Sequence, residues 1–233
     1  MMLDVRNLDV QRGGKTVVHR VDLSVARGEI VALLGPNGAG KSSIVLALAG
    51  AIARSNGDVR LDGQLLPARA DAARRAGLAI VPEGHHVLGN LTVLDNLRAA
   101  ALLHPRTKVD GGVAHALEVF PELEPKLAHL GRSLSGGQKQ MVCMAQALIA
   151  RPKALVVDEL SLGLAPLVVR RLAEVLQQLA GQGVAVLLIE QFTTLALSIA
   201  TRACVLQRGR AVWTGDAETL RRQPEILQGS YLS

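Results

Sequence analysis

Glu29-Ile30-Val31-Ala32-Leu33-Leu34-Gly35-Pro36-Asn37-Gly38-Ala39-Gly40-Lys41-Ser42-Ser43 runs from an apolar stretch straight into spaced glycines and a lysine. Glu29 to Leu34 reads as a short buried strand, and Lys41 to Ala49 has the apolar density of a buried helix. Between them, Gly35 to Ser42 fits the pattern G-x-x-x-x-G-K-[ST]. Glycines at 35, 38 and 40, with Pro36, Asn37 and Ala39 between them, let the backbone curl so that its N–H groups point inward as an anion nest. The following helix aims the positive end of its dipole at the same point. Lys41 is then placed to reach the outer phosphates of a nucleoside triphosphate, the Ser42 hydroxyl to ligate Mg²⁺, and Ser43 to bond a further phosphate oxygen.

Outward from this loop, the hydrophobic pattern gives the fold class. Leu3 to Val10 and Val17 to Val25 alternate apolar and polar residues around Gly13-Gly14, as in an antiparallel hairpin with one solvated face. Asp58 to Leu61, turned at Asp62-Gly63, and Leu78 to Val81, stopped by Pro82, read as further strands. From Gly84 to Ala150 only helical patterns occur, at Val93 to Leu103, Val113 to Phe120 and Gln138 to Ala150, joined by His104-Pro105, Pro121 and Pro125. Alternation then resumes with strand Ala154 to Val157, helix Leu167 to Leu179, strand Val184 to Ile189 and helix Phe192 to Ala200. Val205-Leu206 and Ala211 to Trp213, flanking Arg208-Gly209, read as a last hairpin. Strands alternating with helices imply a mostly parallel sheet covered on both faces. The expectation is an α/β P-loop NTPase: a parallel core, an antiparallel β subdomain and an inserted helical subdomain. The core would be 1–83 with 151–233, and the helical part 84–150, in one domain over 1–233.

Two further motifs bear on chemistry. Leu155-Val156-Val157 ends in Asp158-Glu159, two carboxylates at the C-terminal end of a buried strand, where ligands bind in such sheets. Asp158 is suited to hold Mg²⁺, and Glu159 to polarise a water for in-line attack on a γ-phosphate. Without the phosphate loop, an acidic turn would explain the pair equally well. Ser135-Gly136-Gly137-Gln138, preceded by Leu134, opens a helix and offers backbone N–H groups and a hydroxyl as a second anion site.

Phosphate loop, signature tetrapeptide and carboxylates, in this order over nearly the whole length, make the chain resemble the nucleotide-binding subunit of an ABC transporter. The resemblance implies that ATP is bound with Mg²⁺ and hydrolysed, and that Glu159 is the catalytic base. It implies that two such domains meet head to tail, so that Ser135 to Gln138 close over the ATP held by the other's phosphate loop. The second domain would be a copy of this chain or a paralogue. Membrane permease subunits would be driven by the pair, with an extracytoplasmic solute-binding protein acting indirectly, and the chain would be cytoplasmic, on the inner face of the membrane.

Departures from the commonest pattern narrow the subtype. Val81-Pro82-Glu83 stands where most members have a glutamine touching Mg²⁺, and a carboxylate is the stronger ligand for a hard cation. Glu190-Gln191 stands where most have a histidine contacting the γ-phosphate, so Gln191 would take that part. With Ser161-Leu162-Gly163-Leu164-Ala165-Pro166, these look like the ATPases of branched-chain amino-acid importers and their relatives for urea or short amides. Leu160 replaces a usual proline, and Arg12 stands where an aromatic ring usually stacks on adenine. His85-His86 reads as a solvated loop, since neighbouring histidines rarely converge on one metal.

Composition sets limits. Hydrophobic residues are 49% of 233, enough for a sizeable core. Aromatics are 2%, namely Phe120, Phe192, Trp213 and Tyr231, which argues against a base-stacking platform for single-stranded nucleic acid. The net charge of +6 is compatible with nucleic acid, an anionic membrane face or a merely solvated basic surface. Cys143 and Cys204 lie in apolar stretches and read as buried free thiols. The N-terminus lacks the apolar run of a signal peptide, and no stretch approaches the roughly 20 apolar residues of a membrane span. Two rivals remain open at this level: an ABC-type ATPase working on nucleic acid or ribosomes, and a P-loop kinase in which Glu159 accepts a proton from a substrate hydroxyl.

Overall fold

The structure is a computed structural model and describes residues 1–104 and 108–227; the connection expected at Pro105 lies outside them. The chain opens with β1 (Leu3–Arg12), β2 (Lys15–Val25) and β3 (Ile30–Leu34), followed by α1 (Lys41–Leu48). Next come β4 (Arg54–Leu61), β5 (Gln64–Leu65), α2 (Ala70–Ala76) and β6 (Leu78–Val81). Helices α3 (Val93–Leu102), α4 (Val109–Val119) and α5 (Gly136–Leu148) then follow, with no strand between them among the described residues. The last part alternates: β7 (Ala154–Asp158), α6 (Pro166–Gly181), β8 (Ala185–Glu190), α7 (Thr193–Ile199), β9 (Arg202–Gln207), β10 (Arg210–Asp216) and α8 (Ala217–Arg222).

Among the described residues, two sheets form: one ordered β2-β1-β4-β5, the other β10-β9-β3-β8-β7-β6. The first is antiparallel, with β1 paired to β2 and to β4. In the second, β9, β3, β8, β7 and β6 run parallel, and β10 returns antiparallel at the edge. The parallel strands are apolar on both faces because both faces are covered. Ile30, Ala32, Leu34, Leu155, Val157, Val186 and Leu188 join a core with helices α3 to α8. Val31, Leu33, Val156, Leu187 and Ile189 point the other way, into a core shared with α1 and the antiparallel sheet. Truncating one of these fully buried leucines to alanine would cost about 2–5 kcal/mol.

Several expectations change at their edges. β4 begins at Arg54, not Asp58, because its polar first half pairs with β1, Arg54 opposite Val10 and Asn56 opposite Asp9. Helix α2 has no place in the sequence reading; its segment, ADAARRA, buries only Ala73 and carries no apolar stripe to read. Helix α4 starts at Val109 rather than Val113, and the last hairpin lengthens to Arg202–Gln207 and Arg210–Asp216. Both cysteines are free and buried, as expected.

Candidate functional site

The phosphate loop sits at the C-terminal end of β3, against the first sheet and the β9–β10 turn. Gly209 N–H donates to the Ala39 carbonyl at 2.8 Å, and His19 N–H to the Gly209 carbonyl at 2.7 Å, so the loop is tied to the turn and the turn to β2. Gly40 has φ 107° and marks the start of α1. A Cβ there would be strained by that φ and would lie 2.9 Å from the Val17 carbonyl oxygen. No side chain caps α1. Its first-turn N–H groups, which no helix can satisfy internally, therefore remain for a ligand.

Lys41 is 5% exposed, and its Nζ donates to the carbonyls of Gly35 at 2.7 Å and Pro36 at 3.1 Å. Burial pushes its ammonium below the usual lysine range, opposed by the nearby charges of Glu159, Asp158, Glu190 and Glu83. Asp158, at the end of β7, is also buried, and its carboxyl is pushed up to about 6 by burial and then by Glu159 and Glu83. Four carboxylates around one lysine leave net negative charge to be neutralised, as a divalent cation would do. Among the described residues, no group of three histidines, cysteines, aspartates or glutamates could hold a metal ion by itself. Further ligands would have to come from a hydroxyl such as that of Ser42 or from phosphate.

A cleft of about 510 Å³ brings most expected residues together: Asn37, Gly38, Gly40, Lys41, Ser42, Ser43, Glu83, Glu159 and Gln191 line it, with Val17 and Leu162. These come from five separate stretches of chain. Asp158 lies behind the cleft wall rather than on it. Ser135, Gly136 and Gly137 do not reach the cleft at all; they stand at the start of α5. Glu159 holds φ 51°, unusual for a residue with a side chain. Its N–H donates to the Ile189 carbonyl at 2.9 Å, and Leu160, fully buried, anchors the next residue.

At the signature segment, Ser135 Oγ accepts from Gln138 N–H at 3.3 Å, and Gln138 Oε1 accepts from Ser135 N–H at 3.0 Å, a reciprocal capping box. A Cβ at Gly137 would come within 2.8 Å of Val168 on α6. Gln138 and Gly137 thus have local structural reasons as well as the expected binding role.

His85 departs from the expected solvated loop. It is half-buried, and its Nδ1 bonds Gln140 Oε1 at 2.8 Å. Leu88, three residues beyond His85, donates its N–H to buried Asn96, and its carbonyl accepts from the Asn96 side chain. The loop that carries Glu83 is therefore fastened to α3 and α5. A single sequence offers no signal for the attachment to α5, since Gln140 is far from His85 in the chain.

Sequence reasoning also missed Glu190, here 1% exposed. It accepts from Ser161 N–H and from Ser161 Oγ–H, both at 3.0 Å. Burial pushes its carboxyl above the usual glutamate range, against the pull of the Ser161 bonds. An acidic residue closing an otherwise apolar strand was the available sign.

Comparison with known proteins is consistent with this geometry. A model of the ABC transporter family matches residues 18–161. The high-affinity branched-chain amino acid transport ATP-binding protein BraG of Pseudomonas aeruginosa is 35% identical over 226 residues, spanning 97% of this chain and 97% of its own. The lipopolysaccharide export system ATP-binding protein LptB of Escherichia coli K12 is 33% identical, over 99% of this chain and 94% of its own. A solved ATP binding subunit of an ABC transporter superposes with a TM-score of 0.86 at 29% identity, covering 100% of this chain and 96% of that one.

Proposed function

The chain belongs to the ABC transporter family as an ATP-binding, ATP-hydrolysing subunit, and on that premise we propose that it powers an importer of branched-chain amino acids. The observation that carries the reading is the convergence of Lys41, Ser42, Glu83, Glu159 and Gln191 on one cleft, in a chain coextensive with a branched-chain amino acid transport protein. Residues 35–43 hold the phosphates: backbone N–H groups take the oxygens, and Lys41 turns from the loop carbonyls to the outer phosphates. Ser42, Glu83 and Asp158 are the residues that would hold Mg²⁺, which neutralises phosphate charge when bound. Glu159 takes the proton of the attacking water, and Gln191 bonds the γ-phosphate oxygens.

Ser135 to Gln138, outside the cleft, complete the site of a second cassette, a copy of this chain or a paralogue. Leu162, on the rim of the cleft, and Leu167, in the first turn of α6, are 45% and 75% exposed and suit a surface that a second cassette covers. Residues 1–83 with 151–233 act as the nucleotide-binding core and 84–150 as the helical signature unit. A groove of about 540 Å³, lined by Leu78, Ile80, Leu88, Ala100 and Leu103 among others, suits a segment of the membrane permease. Among the described residues no helix is long and apolar enough to cross a membrane, and the subunit would work on the inner face, with a solute-binding protein outside. No role for nucleic acid is proposed.

The near-equal likeness to LptB favours a second reading, an exporter ATPase. Relatives for urea or short amides share the resembled pattern and form a third. Identification of the permease that co-purifies with the chain from its native membrane separates the three. Hydrolysis itself is tested by Glu159→Gln. It removes the base and keeps the size, so turnover should fall by about two to four orders of magnitude with ATP binding retained. Wild-type turnover would defeat the assignment.

A further inference from the structure

Glu190 has no task in the reading above, although burying a carboxylate is costly unless hydrogen bonds compensate it. The rest of β8, Ala185 to Ile189, is apolar and fully buried, so an apolar end residue would have suited packing alone. We propose that Glu190 is a positioning residue for ATP hydrolysis, fixing the Glu159 loop and the Gln191 turn in one relation to each other. The inference rests on the reading of Glu159 as the base.

Two donors meet this one carboxylate, both from Ser161: its N–H, to Oε1, and its hydroxyl, to Oε2. Ser161 is two residues beyond Glu159, and Gln191 follows Glu190 directly in the chain. Glu190 thus ties the far flank of Glu159 to the residue next to Gln191, and Glu159 and Gln191 both line the cleft.

Glu159 needs such support. Its φ of 51° is a conformation that surrounding structure must over-determine. On one side its own N–H is held by the Ile189 carbonyl. On the other, Leu160 is buried and Ser161 is double-bonded to Glu190. Residues 159–161 are pinned at both ends to the last two residues of β8. A glutamine at 190 has a single acceptor oxygen, so it can keep the Ser161 N–H only by turning its amide donor toward the Ser161 hydroxyl, which reverses that bond and loses its charge-assisted strength. The carboxylate of Glu159 would then wander from the line of attack, while the phosphate loop, held by the Gly209 N–H on the Ala39 carbonyl and by Lys41 on the Gly35 carbonyl, would stay as it is.

The test uses the full chain with steady-state ATPase kinetics, affinity for a non-hydrolysable fluorescent ATP analogue, and thermal melting. Glu190→Gln should lower kcat about ten- to hundredfold, as small displacements of a catalytic group do, with KM and analogue affinity near wild type. Glu190→Asp, which keeps both acceptor oxygens, should recover part of the loss. Ser161→Ala should lower kcat less, and should add nothing when combined with Glu190→Gln. Wild-type kcat in Glu190→Gln overturns the inference. So does a loss matched by weaker analogue binding or an equal fall in Glu190→Asp, which marks a merely structural role. If Glu190→Gln does not fold, wild-type kcat in Ser161→Ala overturns it instead. Glu159→Gln measured alongside keeps the two ideas apart. Undiminished turnover there sinks the base, whereas its loss beside an unaffected Glu190→Gln sinks only the present proposal.

Discussion

Two helices of this chain begin at glycines, and they begin differently. α1 starts after Gly40 at φ 107° with no side chain over its first turn. α5 starts after Ser135, whose hydroxyl and whose N–H are both engaged with Gln138. Around the first, buried Lys41 and Asp158 face each other's charge, and side chains from several elements close a cleft. The second stands outside that cleft and carries a cap that satisfies itself. One anion site is built in advance and is electrostatically incomplete without its ligand. The other is complete as local structure, and in the proposed mechanism it gains its ligand only when another cassette brings one.

The difference can be broken most sharply with the isolated chain. Lys41→Ala removes the charge that would meet the outer phosphates, and should cost about 2–5 kcal/mol of ATP affinity, at least thirtyfold. Ser135→Ala should leave the isolated chain's affinity unchanged while lowering hydrolysis in the assembled pair. Equal losses of affinity in the two variants, read by equilibrium binding, would erase the distinction.

A second probe is pH. The Asp158 carboxyl is raised from 3.8 to about 6, so between those values the folded chain binds more protons than the unfolded one. Stability of the nucleotide-free protein should therefore fall as pH rises through that window, and stay low above it. Asp158→Asn should recover on the order of 2 kcal/mol at neutral pH, seen as a higher Tm, and should lose hydrolysis. A Tm that rises with pH over this window would contradict the charge balance given for the cleft.

Smaller effects belong to the signature side. Gly137→Ala puts a Cβ 2.8 Å from Val168 and should cost about 1–3 kcal/mol of stability, relieved by adding Val168→Ala. Smallest is the cap: Ser135→Ala should cost about 1 kcal/mol in denaturant melts. A loss of several kcal/mol there would mean that the segment does more in the single chain than cap α5.

The phosphate loop, the strand ends at Asp158 and Glu83 and the two-faced sheet were legible because their signals are local. Strand, loop and helix follow one another within twenty residues, and buried parallel strands are apolar throughout. What stayed hidden depends on partners far apart in the chain. Glu190 meets Ser161 and His85 meets Gln140 because β7, β8 and α5 are neighbours only after folding. The first half of β4 is polar and becomes a strand only because β1 supplies the pairing. α2 buries one alanine and is held by its neighbours rather than by a stripe of its own. At Ser135 to Gln138 the sequence showed the start of a helix but not the closeness of Val168 to Gly137, which is a second, purely structural reason for glycine there.

Glu159 holds a backbone angle that glycine or asparagine would adopt more comfortably. Its side chain, by contrast, is the one that the proposed hydrolysis needs. A library of variants screened for heat resistance alone would therefore drift at this position toward residues that relax the chain, and hardier descendants would be the first to fall silent as ATPases.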